Sequence, residues 1–118
     1  MKRPLAYITA PWGSNDFDNR ENAGRYCRQV YEAGYSPICP ILFQPYFLHS
    51  EVPQEAKDRA DMAAELLRRS RILVVCGNIA TQEVKNDIAL AKNLRIAATT
   101  LEGILTVDGK GKDGGEGV

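Results

Sequence analysis

The residues of this sequence best suited to chemistry are two carboxylates four positions apart, Glu83 and Asp87. Residues at this spacing lie on one face of a helix, and Thr81, just before them, has the side chain of an N-cap. The helix N-terminus favours negative charge there, while repulsion between the two carboxylates raises the pKa of one of them. Such a pair can supply a nucleophile and an acid/base neighbour. The same pattern is also common on solvated helix surfaces.

Other side chains could assist such a pair. Asp61 lies in the middle of a predicted helix, where it either faces a ligand or pairs with a neighbouring arginine. Tyr7 lies in the first predicted strand, where it is either a core residue or orients a carboxylate. Trp12 follows that strand. The aromatic segment, defined as residues 43–47, either closes over a heterocycle or covers the sheet edge, and we favour the second interpretation.

The remaining reactive residue types indicate neither metal nor redox chemistry. The three cysteines, Cys27, Cys39 and Cys76, are odd in number and widely spaced, so they predict buried thiols instead of a disulfide framework. A single histidine, His49, and the lack of paired Cys ligands argue against a zinc site. Neither a Walker A loop nor a GxGxxG motif occurs. We therefore expect no metal and no organic cofactor.

Length and composition bound the class of protein. The chain has 118 residues, 44% of them hydrophobic and 25% charged, which suits one compact core. Fifteen Lys and Arg balance fifteen Asp and Glu, so no nucleic-acid polymer is expected as a partner. No apolar run reaches the roughly 18 residues of a membrane span, and the N-terminus lacks a signal-peptide pattern. The expected location is the cytoplasm, with no membrane contact.

The elements that must position these residues alternate along the chain. Short apolar runs predict strands at residues 5–10, 36–40, 71–76 and 95–99. Amphipathic patterns predict helices from residue 18 to Gly34, from Pro53 to Ser70, and after Thr81. Two prolines make 36–40 an edge strand, and the continuous apolar run makes 71–76 a central one. The prediction is a single α/β domain over residues 1–107, with helices on both faces of a parallel sheet of four or five strands. Residues 108–118 form a flexible Gly-rich tail.

A parallel sheet of this kind binds ligands at the carboxyl ends of its strands. Two segments lie there, residues 10–15 after the first strand and residues 77–81 after the third. The candidate substrate-binding residues in these segments are Pro11, Trp12, Gly77, Asn78 and Thr81.

Five stretches of the sequence, in this order, resemble the nucleoside 2-deoxyribosyltransferase-like superfamily. They are AYITAPW, ENAGRYC, EAGYSPICP, RADMAAELLRRSRILVVCG and GNIATQEVKNDIALAKNLRI, which together span residues 4–100. The resemblance implies a flavodoxin-like sheet with an active site at its carboxyl edge, and a homo-oligomer. It also implies a reaction in which a carboxylate attacks the anomeric carbon and breaks an N-glycosidic bond. The sugar then passes to another base or to water.

The resemblance also implies a role for individual residues. Asp87 falls at the place of the nucleophile, and Tyr7 matches the tyrosine that orients it. Asp61 matches the aspartate that contacts the base. Thr81 falls where a side chain holds the sugar or its phosphate, and Asn78 would assist it.

Two positions depart from the superfamily pattern and leave two functions open. Asp87 stands where the superfamily has Glu, which shortens the reach by about 1.5 Å. Glu83 stands where it usually has glycine, so this side chain can fill the pocket, repel a phosphate or replace the nucleophile. The preferred prediction is a deoxyribosyltransferase or N-glycosidase acting on a nucleoside or nucleotide. The alternative is an inactive nucleotide-binding domain, or an oligomeric interaction domain that buries the aromatic segment.

Overall fold

The strands and helices alternate as the sequence predicts. The computed structural model describes residues 3–12 and 16–105. The elements are β1 (Leu5–Thr9), α1 (Asp16–Glu32), β2 (Ser36–Ile38), two 3-10 turns (Pro40–Leu42 and Gln44–Tyr46), α2 (Pro53–Arg68), β3 (Ile72–Val75), α3 (Gln82–Asn93) and β4 (Ala97–Thr100). Residues 101–105 are also helical. The predicted flexible tail, residues 108–118, lies outside the described residues.

The four strands form one parallel sheet in the order β2-β1-β3-β4. This is the flavodoxin-like arrangement, in which the direction of winding reverses between β1 and β3. The predicted edge position of β2 and the central position of β3 are both confirmed. Since β1 and β3 are neighbours, the loops after these two strands lie side by side at the carboxyl edge.

Side chains of the central strands alternate between two cores. On one face, Ala6 and Ile8 of β1 pack with α1 and with Ile104 of the helical segment 101–105. On the opposite face, Tyr7 of β1 and Leu73 of β3 pack with α2 and α3. The sheet is therefore covered by helices on both faces, as predicted.

Local signals fix where the helices start and stop. Pro53 occupies the first turn of α2, and Gly34, just after α1, has a φ of +102°, a conformation that glycine adopts without a steric penalty. The Thr81 hydroxyl caps α3 by accepting a hydrogen bond from the Val84 backbone N–H at 3.3 Å. No helix within the described residues is long and apolar enough to cross a membrane.

The aromatic segment does not cover the sheet edge, so this prediction is wrong. Tyr46 is 79% exposed and Phe47 is 54% exposed, and Phe43 also points outward. The apolar cover comes instead from Ile41 and Leu42, just before the segment, which pack against the α1-side core. Within the segment the buried side chain is that of Gln44, and the aromatic side chains on either side of it are exposed.

Candidate functional site

A cavity that we call the main cavity opens between α2 and α3, above the carboxyl half of β1. This main cavity has a volume of about 520 Å³. Tyr7 and Thr9 of β1 contribute to its lining, and α3 contributes Glu83, Asn86 and Asp87. Two of the predicted catalytic carboxylates and the predicted tyrosine therefore lie together in one cavity of the size that holds a small organic ligand.

Small side chains on α2 make room for this cavity. Ala56, Ala60, Ala63 and Ala64 follow a helical spacing and line it. None of these alanines is fully buried, whereas Leu67 on the same helix is. Because an alanine side chain ends at Cβ, this face of α2 leaves a gap where larger residues would fill the space against α3.

Asp87 is a carboxylate of the main cavity that is held by a hydrogen bond. The Thr9 hydroxyl donates a hydrogen bond to its Oδ2 at 2.7 Å, which fixes the carboxylate over the end of β1. Burial raises the pKa of the Asp87 carboxyl above its ordinary value; the Thr9 hydrogen bond lowers it and the charge of Glu83 raises it. The net direction is upward, so burial outweighs the hydrogen bond.

Tyr7 lies on the same face of β1 as Thr9, two residues earlier. Its side chain is 4% exposed. Burial raises its pKa above the ordinary value, and the negative charge of Asp87 raises it further. The Tyr7 hydroxyl is consequently protonated at neutral pH and can serve as a hydrogen-bond donor beside the carboxylate.

The loop residues predicted to bind substrate lie in a different place. Pro11, Trp12, Gly77 and Asn78 line a loop cavity of about 190 Å³ beside α1. Gly77 has a φ of +87°, and a Cβ at this position would lie 2.7 Å from Cδ of Pro11. This close approach locks the loops after β1 and β3 together, next to the main cavity but outside its lining.

Two further predicted site residues line neither the main cavity nor the loop cavity. Asp61 is 64% exposed and forms an ion pair with Lys57 at 2.9 Å, because its position on α2 points away from α3. It therefore pairs with a cation, although with a lysine instead of one of the arginines considered. The Thr81 hydroxyl is engaged in capping α3. Thr81 thus acts on the site through the helix that carries Glu83 and Asp87.

The cysteines are free thiols, as predicted, and two of the three are buried. All three are free; Cys39 and Cys76 are buried and Cys27 is half-buried. A hydrogen bond between the Cys27 and Cys39 thiols lowers the pKa of Cys27, and burial raises the pKa of Cys76 to about 12. Cys76 is accordingly an unreactive core residue at neutral pH.

Several residues of the site were not identified from the sequence. Thr9 could have been found, since strand alternation places it on the same face as Tyr7. Gln44 is 3% exposed and its Nε2 donates to the backbone oxygen of Arg59 at 3.1 Å, tying the 3-10 turns to α2. No sequence pattern marks this contact.

A third cavity adjoins the main one and carries two cations. This arginine cavity has a volume of about 360 Å³, and Arg20 of α1 and Arg59 of α2 both line it. Ile41, Ser50 and Arg59 line the main cavity as well, so the two spaces share a wall. Across residues 3–12 and 16–105, no group of three His, Cys, Asp or Glu side chains is arranged to hold a metal ion.

Comparison with known families identifies the family of this chain but no activity. Residues 4–101 match a family described as a domain of unknown function, DUF7768. No curated protein matches the sequence. Because the family match covers most of the 118 residues, the chain belongs to the DUF7768 family.

Proposed function

We propose that this protein breaks the N-glycosidic bond of a nucleoside or nucleotide, or transfers its 2-deoxyribosyl group, with Asp87 as the nucleophile. One observation carries the proposal: the Asp87 carboxylate is partly buried in the main cavity and is held there by the Thr9 hydroxyl. A fixed carboxylate with one oxygen engaged leaves its second oxygen for attack on carbon. The resemblance to the nucleoside 2-deoxyribosyltransferase-like superfamily supplies the reaction.

In the first step, a carboxylate oxygen of Asp87 forms a bond to the anomeric carbon as the bond from that carbon to the base nitrogen breaks. The electron pair of the broken bond leaves with the base, which takes a proton. The product is a glycosyl ester of Asp87, as in retaining glycosidases. Water or a second base then attacks the same carbon, loses a proton and releases the carboxylate. Glu83 lines the same cavity and would carry these protons.

Tyr7 and Thr9 would hold the nucleophile during this cycle. Thr9 donates to one oxygen of Asp87, and Tyr7 presents a protonated hydroxyl from the same strand face. Both hydroxyl groups would stabilise the negative charge of the Asp87 carboxylate, and neither would itself attack the sugar. The cavity volume, about 520 Å³, lies within the range of ligand pockets.

The test is base release by chromatography from a panel of nucleosides, nucleoside monophosphates and NAD, with and without a free acceptor base. Asp87→Asn should lower the rate by about 10³-fold or more, because it removes the nucleophile. Full activity in Asp87→Asn would move the nucleophile to Glu83, and Glu83→Gln in the same assay would show it. If the wild-type protein releases no base from any compound of the panel, the proposal is contradicted.

Asp87→Asn also carries its own folding control. Since the folded state raises the pKa of Asp87, ionisation of this group destabilises the fold once the pH exceeds the ordinary Asp value of about 3.9. Asparagine is neutral and still accepts the Thr9 hydrogen bond. The Tm of the variant at pH 7 should therefore equal or exceed that of the wild type, so that lost activity is not lost folding.

The alternative is a domain that binds a nucleotide in the main cavity without turnover. The observation in its favour is Glu83, which adds a second carboxylate beside the nucleophile. Calorimetry would then show affinity for a nucleotide, while prolonged incubation yields no free base. Product formation that depends on Asp87 would exclude this alternative.

The proposal extends to assembly and location. A homo-oligomer in the cytoplasm remains the prediction, and the exposed aromatic segment is a surface that a second copy would bury. A solution mass of a single chain by light scattering would contradict the oligomer.

A further inference from the structure

We propose that the arginine cavity binds the 5′-phosphate of the substrate, so that the substrate is a nucleoside monophosphate and not a nucleoside. This inference rests on the proposed function for the identity of the sugar and base. Its own basis is the convergence of Arg20 and Arg59 on one cavity that shares a wall with the cavity of Asp87.

Some cations of the described helices are held in ion pairs, and others, including Arg20 and Arg59, are not. Arg28, Lys57 and Arg69 each form an ion pair with a carboxylate four residues away on their own helix. Within the described residues, Arg20 and Arg59 form no such pair, although they come from helices on opposite faces of the sheet. Both residues line the same cavity at its carboxyl edge, where ligands bind in folds of this kind.

Charge is segregated between the adjoining cavities. Of the two cavities, Glu83 and Asp87 line only the main one, and none of the described residues that line the arginine cavity is acidic. A phosphate in the main cavity would be repelled by the two carboxylates, whereas in the arginine cavity the charged side chains among the described residues are two cations. Arg59 lines both spaces, so one molecule can place its sugar near Asp87 and its phosphate beside Arg59.

The chemistry of the lining fits a phosphate monoester. Such a group carries a charge of about −1.5 to −2 at pH 7, which two guanidinium groups can balance. The planar guanidinium fork pairs with two phosphate oxygens at once. The hydroxyls of Ser50 and Tyr46 in the same lining can donate further hydrogen bonds. Nε2 of Gln44 donates to the backbone oxygen of Arg59 and so ties the 3-10 turn that carries Tyr46 to the helix that carries Arg59.

The experiment compares each nucleoside monophosphate with its nucleoside. The readouts are kcat/KM for base release and the calorimetric affinity for 2-deoxyribose 5-phosphate, ribose 5-phosphate and the free sugars. Wild-type protein should prefer the monophosphate, and Arg20→Met and Arg59→Met should each lower that preference by about 10- to 100-fold, as expected for loss of a charge-assisted hydrogen bond. Methionine keeps most of the apolar stem, and Arg59→Lys should restore part of the preference through its charge.

The matched control is Arg71→Met. Arg71 is an exposed arginine that lies just before β3, at the amino edge of the sheet, opposite the cavities. The Arg71→Met substitution removes the same charge from the whole molecule as Arg20→Met or Arg59→Met does. The preference for the monophosphate should not change in this variant. Equal loss in Arg71→Met would mean a general effect of charge and would overturn the assignment of the phosphate to this cavity.

The possible outcomes separate this inference from the proposed function. Base release with equal preference for nucleoside and monophosphate would overturn the phosphate site and leave the glycosyl chemistry standing. Sugar-phosphate affinity that depends on Arg20 and Arg59, with no base release, would support the phosphate site and contradict the enzyme. Absence of both would overturn both.

Discussion

Asp87 combines two opposed requirements in a single side chain. A nucleophile must be ionised, and burial disfavours the ionised form, which is why the pKa of Asp87 is raised. The Thr9 hydroxyl offsets part of this effect by donating to the charged form, whereas Glu83 adds to it by repulsion. The balance among these three side chains sets the pH at which the site becomes competent.

The three-residue balance predicts opposite pH shifts for two conservative variants. Glu83→Gln removes a like charge, lowers the pKa of Asp87 and should move the acidic limb of kcat/KM to lower pH. Thr9→Val removes the hydrogen bond to the carboxylate, raises its pKa and should move the same limb to higher pH. The measurement is a pH profile of kcat/KM for base release, which reports the free enzyme.

Asp61→Asn is the control for this experiment, because it neutralises an exposed carboxylate outside the main cavity. It should leave the acidic limb where it is in the wild type. Shifts of equal sign in Glu83→Gln and Thr9→Val would show that the limb does not report Asp87. A loss of activity in Asp61→Asn would mean that Asp61 contributes to the reaction although it lies outside the main cavity.

At the scale of elements, the strands and most helix ends follow from local rules. The strand that ends at Val75 is a continuous apolar run, and only a central parallel strand is covered on both faces in this way. Thr81 and Pro53 mark helix starts by their own chemistry. Helix periodicity alone is enough to predict that Glu83 and Asp87 lie on one face of α3.

The failures have a common physical cause, since they depend on contacts between distant elements. Asp61 lies next to the apolar stripe of α2, and its sequence position does not decide whether it faces α3 or solvent. The aromatic segment is apolar by composition, yet the side chain that it buries is that of Gln44, which contacts the backbone of the distant Arg59. That Arg20 and Arg59 line one cavity can be predicted only when the positions of α1 and α2 on the sheet are known.

The contact between the loops after β1 and β3 predicts opposite effects for two identical glycine substitutions. Gly77→Ala forces alanine into a positive φ and brings its Cβ within 2.7 Å of the Pro11 ring, so it should destabilise the fold by about 1–3 kcal/mol. Gly24→Ala adds a Cβ that meets nothing within 4 Å in the middle of α1, and should stabilise it by about 0.5–1 kcal/mol. Urea unfolding of both variants measures the difference, and a Gly77→Ala protein as stable as wild type would mean that the loops are not locked.

At the scale of the whole molecule, the sheet brings helices from its two faces to a common edge. α1 delivers Arg20, α2 delivers Arg59 and its alanine face, and α3 delivers Asp87. No single helix contains both the cation and the nucleophile that the proposed reaction needs. The site is therefore a product of the complete fold, and an isolated segment of this chain would not reproduce it.

The overall charge predicts that the substrate is a mononucleotide and not a nucleic-acid polymer. Fifteen basic and fifteen acidic residues give a formal net charge of zero, so there is no surplus of cations to follow a phosphate backbone. Two arginines in one cavity can neutralise a single terminal phosphate, and each would release about one counterion on binding.

A single-stranded oligonucleotide should thus bind no more tightly than a nucleoside monophosphate, and its affinity should fall only weakly with salt. Fluorescence anisotropy over a series of salt concentrations measures this, with the Arg20→Met variant in parallel. Tight oligonucleotide binding with a steep salt dependence would identify a basic surface outside the arginine cavity and replace the small-molecule assignment with a nucleic-acid one.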